Sequence, residues 1–305
     1  MFNIFLTILP IFLVIGVGFI LKRFSFISDS VVNGNNRLVF NVFLPALLID
    51  KISTSNISQN FNLKILFIMY GSVFAVFIIS CLIALFLKVS KNDIGTFAMN
   101  SFRGNFAYMG LPVAYYVFSG VGVALGSVLL AFIVPFVNVI SIFSLTVFSK
   151  SYYKKVIKDS FLNLIVIASL LGVFLSACNI ELPNVVSRFL KILSLPALPL
   201  ALIGIGASLK FKETIKKPNL MLLSSFMKLI ILPLVGILLL RLFSVESLMA
   251  KILIIMLAAP PATLNYILAQ QMNGNELLAS STICFSTIFS FITYGFWIYY
   301  MQCYF

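Results

Sequence analysis

Residues 103–112 read Arg103-Gly104-Asn105-Phe106-Ala107-Tyr108-Met109-Gly110-Leu111-Pro112, a polar and glycine-rich stretch with apolar sequence on both sides. Proline has no amide hydrogen and its ring clashes with the preceding helical turn, so Gly110-Leu111-Pro112 predicts an open break in a helix. Backbone groups that a break frees within a membrane must meet protein, water or a ligand. The stretch therefore predicts a binding site at membrane depth.

A second stretch of this kind lies in the other half of the chain, where residues 258–265 read Ala258-Ala259-Pro260-Pro261-Ala262-Thr263-Leu264-Asn265. Two successive prolines remove adjacent backbone donors, which predicts another break. Where two breaks cross, the N-termini of half-helices offer partial positive charge and unpaired N–H groups to an anion. The predicted substrate-binding residues are Asn105, Gly110, Pro112, Asn138, Pro260, Pro261, Thr263 and Asn265.

Several of these residues also have a simpler interpretation. Prolines in membrane helices can merely kink them, and Asn105 and Asn265 fit ordinary hydrogen bonds between helices. Asn138 fits a site and helix packing equally well. Arg103 fits an anion-binding residue or an anchor at the cytoplasmic side, and Lys228 fits an internal cavity or the lipid interface.

The composition places the whole chain in a membrane. Of its 305 residues, 61% are hydrophobic and 10% are charged, whereas soluble domains carry roughly 25% charged residues. Apolar runs of about 20 residues, the length that crosses a hydrocarbon core of about 30 Å, recur along the sequence. They predict an all-α integral membrane protein with ten transmembrane helices, at about 2–21, 33–53, 63–88, 94–118, 122–148, 161–179, 185–209, 219–243, 248–272 and 276–301.

Basic residues in the loops predict the orientation. The odd-numbered loops hold twelve lysines and arginines, against six in the even-numbered loops and their flanks, and cytoplasmic loops are the more basic ones. The sequence therefore predicts a multi-pass protein of the cell (inner) membrane with both termini outside the cytoplasm. The net charge of +13 is explained by basic loops that orient the chain in the membrane. We therefore expect the lipid bilayer, and no nucleic acid, as a partner of the protein.

The two halves of the sequence resemble each other. Arg37 precedes Leu44-Pro45-Ala46-Leu47 by seven residues, and Arg188 precedes Leu195-Pro196-Ala197-Leu198 by the same seven. The two proline breaks have nearly the same offset. Because five spans per half is an odd number, the copies must insert with opposite orientation, as in many secondary transporters. The predicted organisation is a first five-helix repeat at 1–149, a cytoplasmic linker at 150–160 and a second repeat at 161–305.

The sequence lacks the side chains of common catalytic and metal sites. It has no histidine, and its four cysteines share no spacing. No Asp or Glu falls near the middle of a predicted span, which disfavours an antiporter built on buried carboxylates. We therefore expect no enzymatic activity, no metal and no cofactor. The choice between H+, Na+ and no coupling ion stays open.

Four motifs spread along the chain are shared with a known family. They are Asn36-Arg37-Leu38-Val39 leading to Pro45; Asn105 with Gly110-Leu111-Pro112; Gly204-Ile205-Gly206-Ala207-Ser208-Leu209; and Ala258-Ala259-Pro260 followed by Ala279-Ser280-Ser281 and Ser286-Thr287. Over nearly its whole length the chain resembles the auxin efflux carrier family, which includes plant PIN-type carriers and bacterial permeases for small carboxylates such as malate and malonate.

The resemblance implies two inverted five-helix repeats in which broken helices four and nine cross at their prolines. It further implies that spans 1, 2, 6 and 7 form a scaffold that makes a homodimer, while spans 3–5 and 8–10 form a mobile transport unit. In that arrangement Asn105 binds the substrate carboxylate, and an elevator motion exposes the site to each side in turn. Plant members carry an acid and a lysine early in span three, where this chain reads Ile65-Leu66-Phe67-Ile68-Met69-Tyr70-Gly71.

The expected function is that of a secondary transporter, or permease, for a small organic anion, either a di- or a monocarboxylate. A sodium-coupled symporter resembling bile-acid transporters is the rival within the same class. A membrane sensor that binds a ligand without moving it is the rival from another class. An intramembrane enzyme is the weakest reading, because the sequence has no histidine and no paired carboxylates for acid–base chemistry.

Overall fold

The structure, a computed structural model, describes residues 2–54, 62–149, 164–209 and 217–304. All regular secondary structure within these ranges is helical, which confirms the prediction of an all-α protein. The predicted linker at 150–160 lies outside the described residues.

In the first half of the chain, one long helix is followed by helices that are interrupted by short π-helices. The elements are α1 (Phe2–Arg23), α2 (Asp29–Leu38), π1 (Val39–Phe43), α3 (Leu44–Ser53), α4 (Leu63–Phe86), α5 (Lys91–Phe102), π2 (Phe106–Gly110) and α6 (Leu111–Ser149). Ser119 has φ 56° and ψ −148°, so α6 turns sharply there. The part of α6 before this turn belongs to predicted span four, and the part after it to span five.

The second half shows the same mixture of long and divided helices. Its elements are α7 (Leu164–Ala177), α8 (Asn184–Ser194), α9 (Ala197–Ala207), α10 (Pro218–Phe226), π3 (Met227–Ile231), α11 (Leu232–Leu242), α12 (Leu248–Leu257), α13 (Leu264–Gln271) and α14 (Glu276–Tyr304). Predicted span eight is thus divided in the middle by π3.

Six helices of the described residues are long and apolar enough to cross a membrane. They lie at Phe5–Arg23, Leu63–Phe86, Phe106–Phe148, Asn184–Ala207, Pro218–Leu242 and Glu276–Tyr304. Two further apolar helices, α7 and α12, are shorter. The chain is therefore a multi-pass membrane protein, while the number of ten spans and the inverted relation of the halves remain predictions.

Each of the three π-helices ends directly before a leucine–proline pair. These pairs are Leu44-Pro45, Leu111-Pro112 and Leu232-Pro233. A π-turn holds more residues than an α-turn, and this widening gives the proline ring room against the preceding turn. The predicted open break at Gly110-Leu111-Pro112 is therefore wrong. The helix continues through it, with the Leu111 amide donating to the Phe106 carbonyl, and the open break lies upstream at 103–105.

Contacts between helices divide the described fold into two groups. In one group α1 packs on α9, and α3 packs on α7 and α8. In the other, α4 packs on α5 and α11, α6 packs on α5 and α12, and α10 packs on α14. The two groups meet where α6 lies against α3 and α7, and where α1 contacts α14.

Two glycines allow α1 and α9 to approach with their backbones in contact. A Cβ atom on Gly206 would lie 1.9 Å from the carbonyl oxygen of Ile15, and one on Gly18 would lie 2.2 Å from that of Ile203. Small residues are what allow membrane helices to pack this closely. These two helices therefore form a tight pair within their group.

Candidate functional site

The two breaks in the helices lie against each other. The first, at 103–105, separates α5 from π2, and the second, at 258–263, separates α12 from α13. Gly104 and Pro261 form an isolated antiparallel bridge between them. We call this contact between the two breaks the crossing, and in it Gly104 rather than Pro112 stands opposite the second break. That helices four and nine of two repeats cross here stays a prediction.

Backbone hydrogen bonds tie the two breaks together. The Asn105 amide donates to the Pro260 carbonyl at 2.7 Å, and the Ala262 amide donates to the Arg103 carbonyl at 3.1 Å. Irregular backbone at membrane depth is tolerated only where such groups find partners or line a cavity. Each break thus provides hydrogen-bond partners for backbone groups that the other break leaves without helical partners.

Gly104 is required by the tightness of this crossing. A Cβ atom there would lie 2.7 Å from a ring carbon of Phe106 and 3.0 Å from the Lys228 Nζ. Any larger residue would push both side chains away from the bridge with Pro261. The role of this glycine in the structure is therefore to allow a close approach.

A pair of asparagines holds the crossing from the side of α5 and α13. The Asn265 side-chain amide donates to the Asn100 Oδ1 at 2.9 Å and to the Arg103 carbonyl at 3.4 Å. Both asparagines are fully buried. Hydrogen bonds between helices of this type contribute about 0.6 kcal/mol each on average in membrane proteins. Asn265 therefore helps to hold the backbone of the first break in place.

Asn105 caps the second half-helix of the first break. Its Oδ1 accepts from the Tyr108 amide at 3.3 Å, and its carbonyl accepts from the Met109 and Gly110 amides at 3.0 and 3.1 Å. The amides of Phe106 and Ala107 precede these and donate to none of the described residues. The start of this helix therefore presents two free N–H groups beside the Asn105 side chain.

The half-helix starts at the wall of a large cavity. This cavity has a volume of about 790 Å³ and is lined by Asn105, Phe106 and Ala107 together with Asn138 and Thr263. It extends to the end of α1 and the start of α2. Its volume falls within the range of roughly 300–1,000 Å³ that is usual for sites that hold small ligands.

The charged residues of the cavity wall are mostly cationic. They are Lys22, Arg37, Arg103 and Asp29. The one acid, Asp29, is paired with Lys22 at 2.8 Å. Three cations against one carboxylate give the cavity a positive potential, which raises the local concentration of anions.

The eight predicted site residues occupy three different places. Asn105, Asn138 and Thr263 line the cavity. Pro260, Pro261 and Asn265 build the crossing behind its wall. Gly110 and Pro112 are buried in the helix beyond the cap, where a Cβ atom on Gly110 would lie 2.7 Å from the Met256 Sδ.

Two cations are buried at the crossing, Arg103 beside Gly104 in the chain and Lys228 close to Gly104 in space. Arg103 is 7% exposed and lines the cavity, and its Nη1 has no hydrogen-bond partner among the described residues. Lys228 is fully buried, and its Nζ donates to the Leu257 carbonyl at 2.6 Å and lies 5.7 Å from the Phe106 ring centroid. Neither is ion-paired with a carboxylate in the part of the chain that the structure describes.

The end of α5 remote from the crossing is held by a buried carboxylate. Asp93 accepts hydrogen bonds from Ser90, Lys217 and Asn275, and thereby joins the starts of α5, α10 and α14. Burial alone would raise the pKa of Asp93, but these three hydrogen bonds and the Lys217 charge outweigh it and hold the pKa below its usual value.

Several cavity residues were not selected as site residues from the sequence. The clearest are Asn36 and Tyr108, whose hydroxyl donates to the Asn36 carbonyl at 3.2 Å, and Ser208 and Ser280. A usable signal was present, because 33–36 read Asn-Gly-Asn-Asn inside a predicted span. A run of amides at membrane depth indicates a polar cavity as well as helix packing.

Comparison with known proteins places the chain among transporters. A sequence model of the membrane transport protein family matches residues 3–153 and 147–298, so the matches together span nearly the whole chain. A curated protein of Methanocaldococcus jannaschii described as an uncharacterized transporter is 24% identical over 306 residues. That alignment covers 95% of this chain and 96% of the relative.

Proposed function

The chain belongs to the membrane transport protein family, the family of the auxin efflux carriers, and from this membership we propose that it is a secondary transporter for a small organic anion. The observation that carries the proposal is the crossing of two broken helices in the wall of a cavity of about 790 Å³. Broken helices that meet in this way form the substrate sites of many secondary transporters.

A carboxylate is the substrate that fits the exposed groups best. The free Phe106 and Ala107 amides stand at the positive end of a helix, next to the Asn105 side chain. An anion at such a place receives hydrogen bonds and a favourable dipole together. A substrate with one or two carboxylates would use these groups, and apolar cavity residues would contact its carbon skeleton.

The proposed transport cycle is an elevator motion of one helix group against the other. The group of α1, α3, α7, α8 and α9 corresponds to the scaffold spans 1, 2, 6 and 7, and the group of α4, α5, α6, α10, α11, α12 and α14 corresponds to the transport spans. Contacts within each group support this division into rigid units. In this proposal the chain has ten spans in two inverted repeats, and its scaffold forms a homodimer in the cell inner membrane.

The described conformation fits the state that is open to the cytoplasm. The cavity reaches Lys22 and Asp29 at the loop between α1 and α2, and the basic-residue count assigns that loop to the cytoplasmic side. A sliding of the transport group toward the other side would carry the crossing past α2 and π1. The hydrogen bond from Tyr108 in π2 to Asn36 in α2 would break in that step.

The position of the Lys228 side chain argues against coupling to sodium. The carbonyl end of a half-helix is where transporters of this type place a coupling cation, and here the Lys228 ammonium already donates to the last carbonyl of α12, that of Leu257. We therefore expect substrate uptake to be the same with sodium and with potassium in the external buffer. Sodium dependence would favour the symporter alternative.

The site can be tested by uptake of radiolabelled carboxylates into proteoliposomes. Asn105→Ala removes the cap of the half-helix and one wall group of the site, and we expect at least roughly a tenfold lower rate, since about 1.4 kcal/mol corresponds to tenfold. Asn219→Ala is the matched control, because Asn219 is exposed on α10 and outside the cavity. Equal rates for Asn105→Ala and the wild type would remove the proposed site.

A further inference from the structure

Arg103 is a buried cation whose backbone is fixed and whose charge is not compensated. Its carbonyl accepts from the Ala262 amide at 3.1 Å and from the Asn265 side chain at 3.4 Å. Its side chain is almost fully buried, yet Nη1 has no partner among the described residues. An unpaired charge at membrane depth is costly, and such residues usually face a cavity and mark a substrate path.

The surroundings of Arg103 favour an anion over every other occupant. The residue lines the same cavity as Asn105, Phe106 and Ala107. Asp29 is the one carboxylate of that cavity wall, and it lies with Lys22 in an ion pair. Within the described residues, no acidic side chain is therefore bonded to the Arg103 guanidinium.

Lys228, the second buried cation at the crossing, differs from Arg103 in its contacts and in its position. Its ammonium donates to the Leu257 carbonyl and lies over the Phe106 ring. It is absent from the cavity wall. Of the two buried cations near Gly104, Arg103 alone therefore combines an unpartnered nitrogen with a place in the cavity wall.

We propose that Arg103 selects the charge of the substrate, by binding a carboxylate of the transported anion next to the free amides of Phe106 and Ala107. A guanidinium is a planar fork whose N–H groups match the two oxygens of a carboxylate. The bound anion compensates the Arg103 charge, and uncharged analogues of the same shape leave it unpaired. This inference rests on the proposed function and names the group that gives the site its preference for anions.

Binding to the purified protein tests the role of Arg103 directly. The probes are acetate, benzoate and succinate, with succinamide as the uncharged analogue of the last, and the readout is the shift of thermal unfolding in detergent as each probe is titrated. The wild type should be stabilised by at least one of the acids and not by the amide. Arg103→Gln should bind that acid roughly 30-fold more weakly or worse, the usual result of removing one partner of a buried charge pair.

Two further variants separate charge from geometry. Arg103→Lys keeps the charge without the planar fork, so we expect an affinity between those of the wild type and Arg103→Gln. Arg188→Gln is the matched control, because Arg188 is exposed on α8 and outside the cavity, and it should bind as the wild type does. An affinity of Arg103→Gln within about twofold of the wild type would overturn the proposal, since about 0.4 kcal/mol is too little for a charge-assisted contact.

Chemical protection of the wild type covers the case in which Arg103→Gln does not fold. Phenylglyoxal should modify Arg103 in the empty protein, and the acid that binds should protect Arg103 but not Arg188, as peptide mass spectrometry would show. Unchanged Arg103 modification at a saturating concentration of that acid would also overturn the proposal. If the wild type exchanges a carboxylate while Arg103 proves dispensable, the proposed function stands and only this inference fails.

Discussion

Gly104 is the residue at which two backbone segments, an aromatic ring and a buried cation come closest together. Its neighbours in space are Pro261 of the second break, Phe106 of the next helix and Lys228 of π3. A sequence shows that a glycine is present but not what approaches it. For this reason the close-approach role of Gly104 could not be predicted. Asn105, Asn138 and Thr263 could be selected from the sequence because they are polar residues within apolar spans, and they line the cavity.

Gly104→Ala should damage the crossing. The added Cβ would lie 2.7 Å from the Phe106 ring and 3.0 Å from the Lys228 Nζ, so both must move, and overpacking of this kind typically costs about 1–3 kcal/mol. We expect a lower unfolding temperature in detergent and a lower rate of uptake in proteoliposomes.

Gly34→Ala is the control for that substitution. Gly34 lies within α2 and has no atom within 4 Å of the position of an added Cβ. Because alanine favours a helix by up to about 1 kcal/mol over glycine, this variant should be as stable as the wild type or more so. If both variants unfold at the wild-type temperature, the crossing is looser than the structure shows.

The π-helices explain, at the level of elements, why a proline does not locate a break. Three helices pass through a leucine–proline pair by widening into a π-turn first, so the lost hydrogen bond is absorbed without opening the chain. The double proline at 260–261 does interrupt its helix, since two adjacent donors are missing. The second break was therefore predictable, while the first was displaced from Pro112 to 103–105.

The starts of α5, α10 and α14 are joined by Asp93, and this predicts a loss of stability in acid. Because its contacts hold the Asp93 pKa below the ordinary 3.8, the carboxylate stabilises the fold fully above that value. This contribution is lost as the pH falls through the lower pKa of the folded state. The wild-type unfolding temperature should therefore fall as the pH is lowered below the ordinary value of 3.8.

Asp93→Asn should remove that dependence. It should unfold at a lower temperature than the wild type at neutral pH, because Lys217 and Asn275 lose a charged acceptor, and should change less on acidification. Glu246→Gln, at an exposed position before α12, should follow the wild type at every pH. If the unfolding temperatures of Asp93→Asn and the wild type fall in parallel with pH, the contacts of Asp93 do not contribute to the loss of stability in acid.

At the scale of the whole molecule, composition predicted more than the motifs did. A chain with 61% hydrophobic residues has to be a membrane protein, and the helical fold and the transporter family agree with that. The division into two helix groups was not visible in composition, because it depends on contacts between distant segments such as α1 with α9. The ten spans, the inverted repeats and the homodimer stay predictions.

Counterflow exchange in proteoliposomes tests the central claim, that the chain carries a carboxylate through the crossing. Vesicles loaded with an unlabelled carboxylate that stabilises the protein are diluted into a trace of the same labelled compound. A carrier that alternates between two sides accumulates the label transiently above its external concentration. We predict this overshoot for the wild type, and its loss in Asn105→Ala. A wild type that binds the carboxylate yet shows no overshoot would contradict the account and favour a sensor.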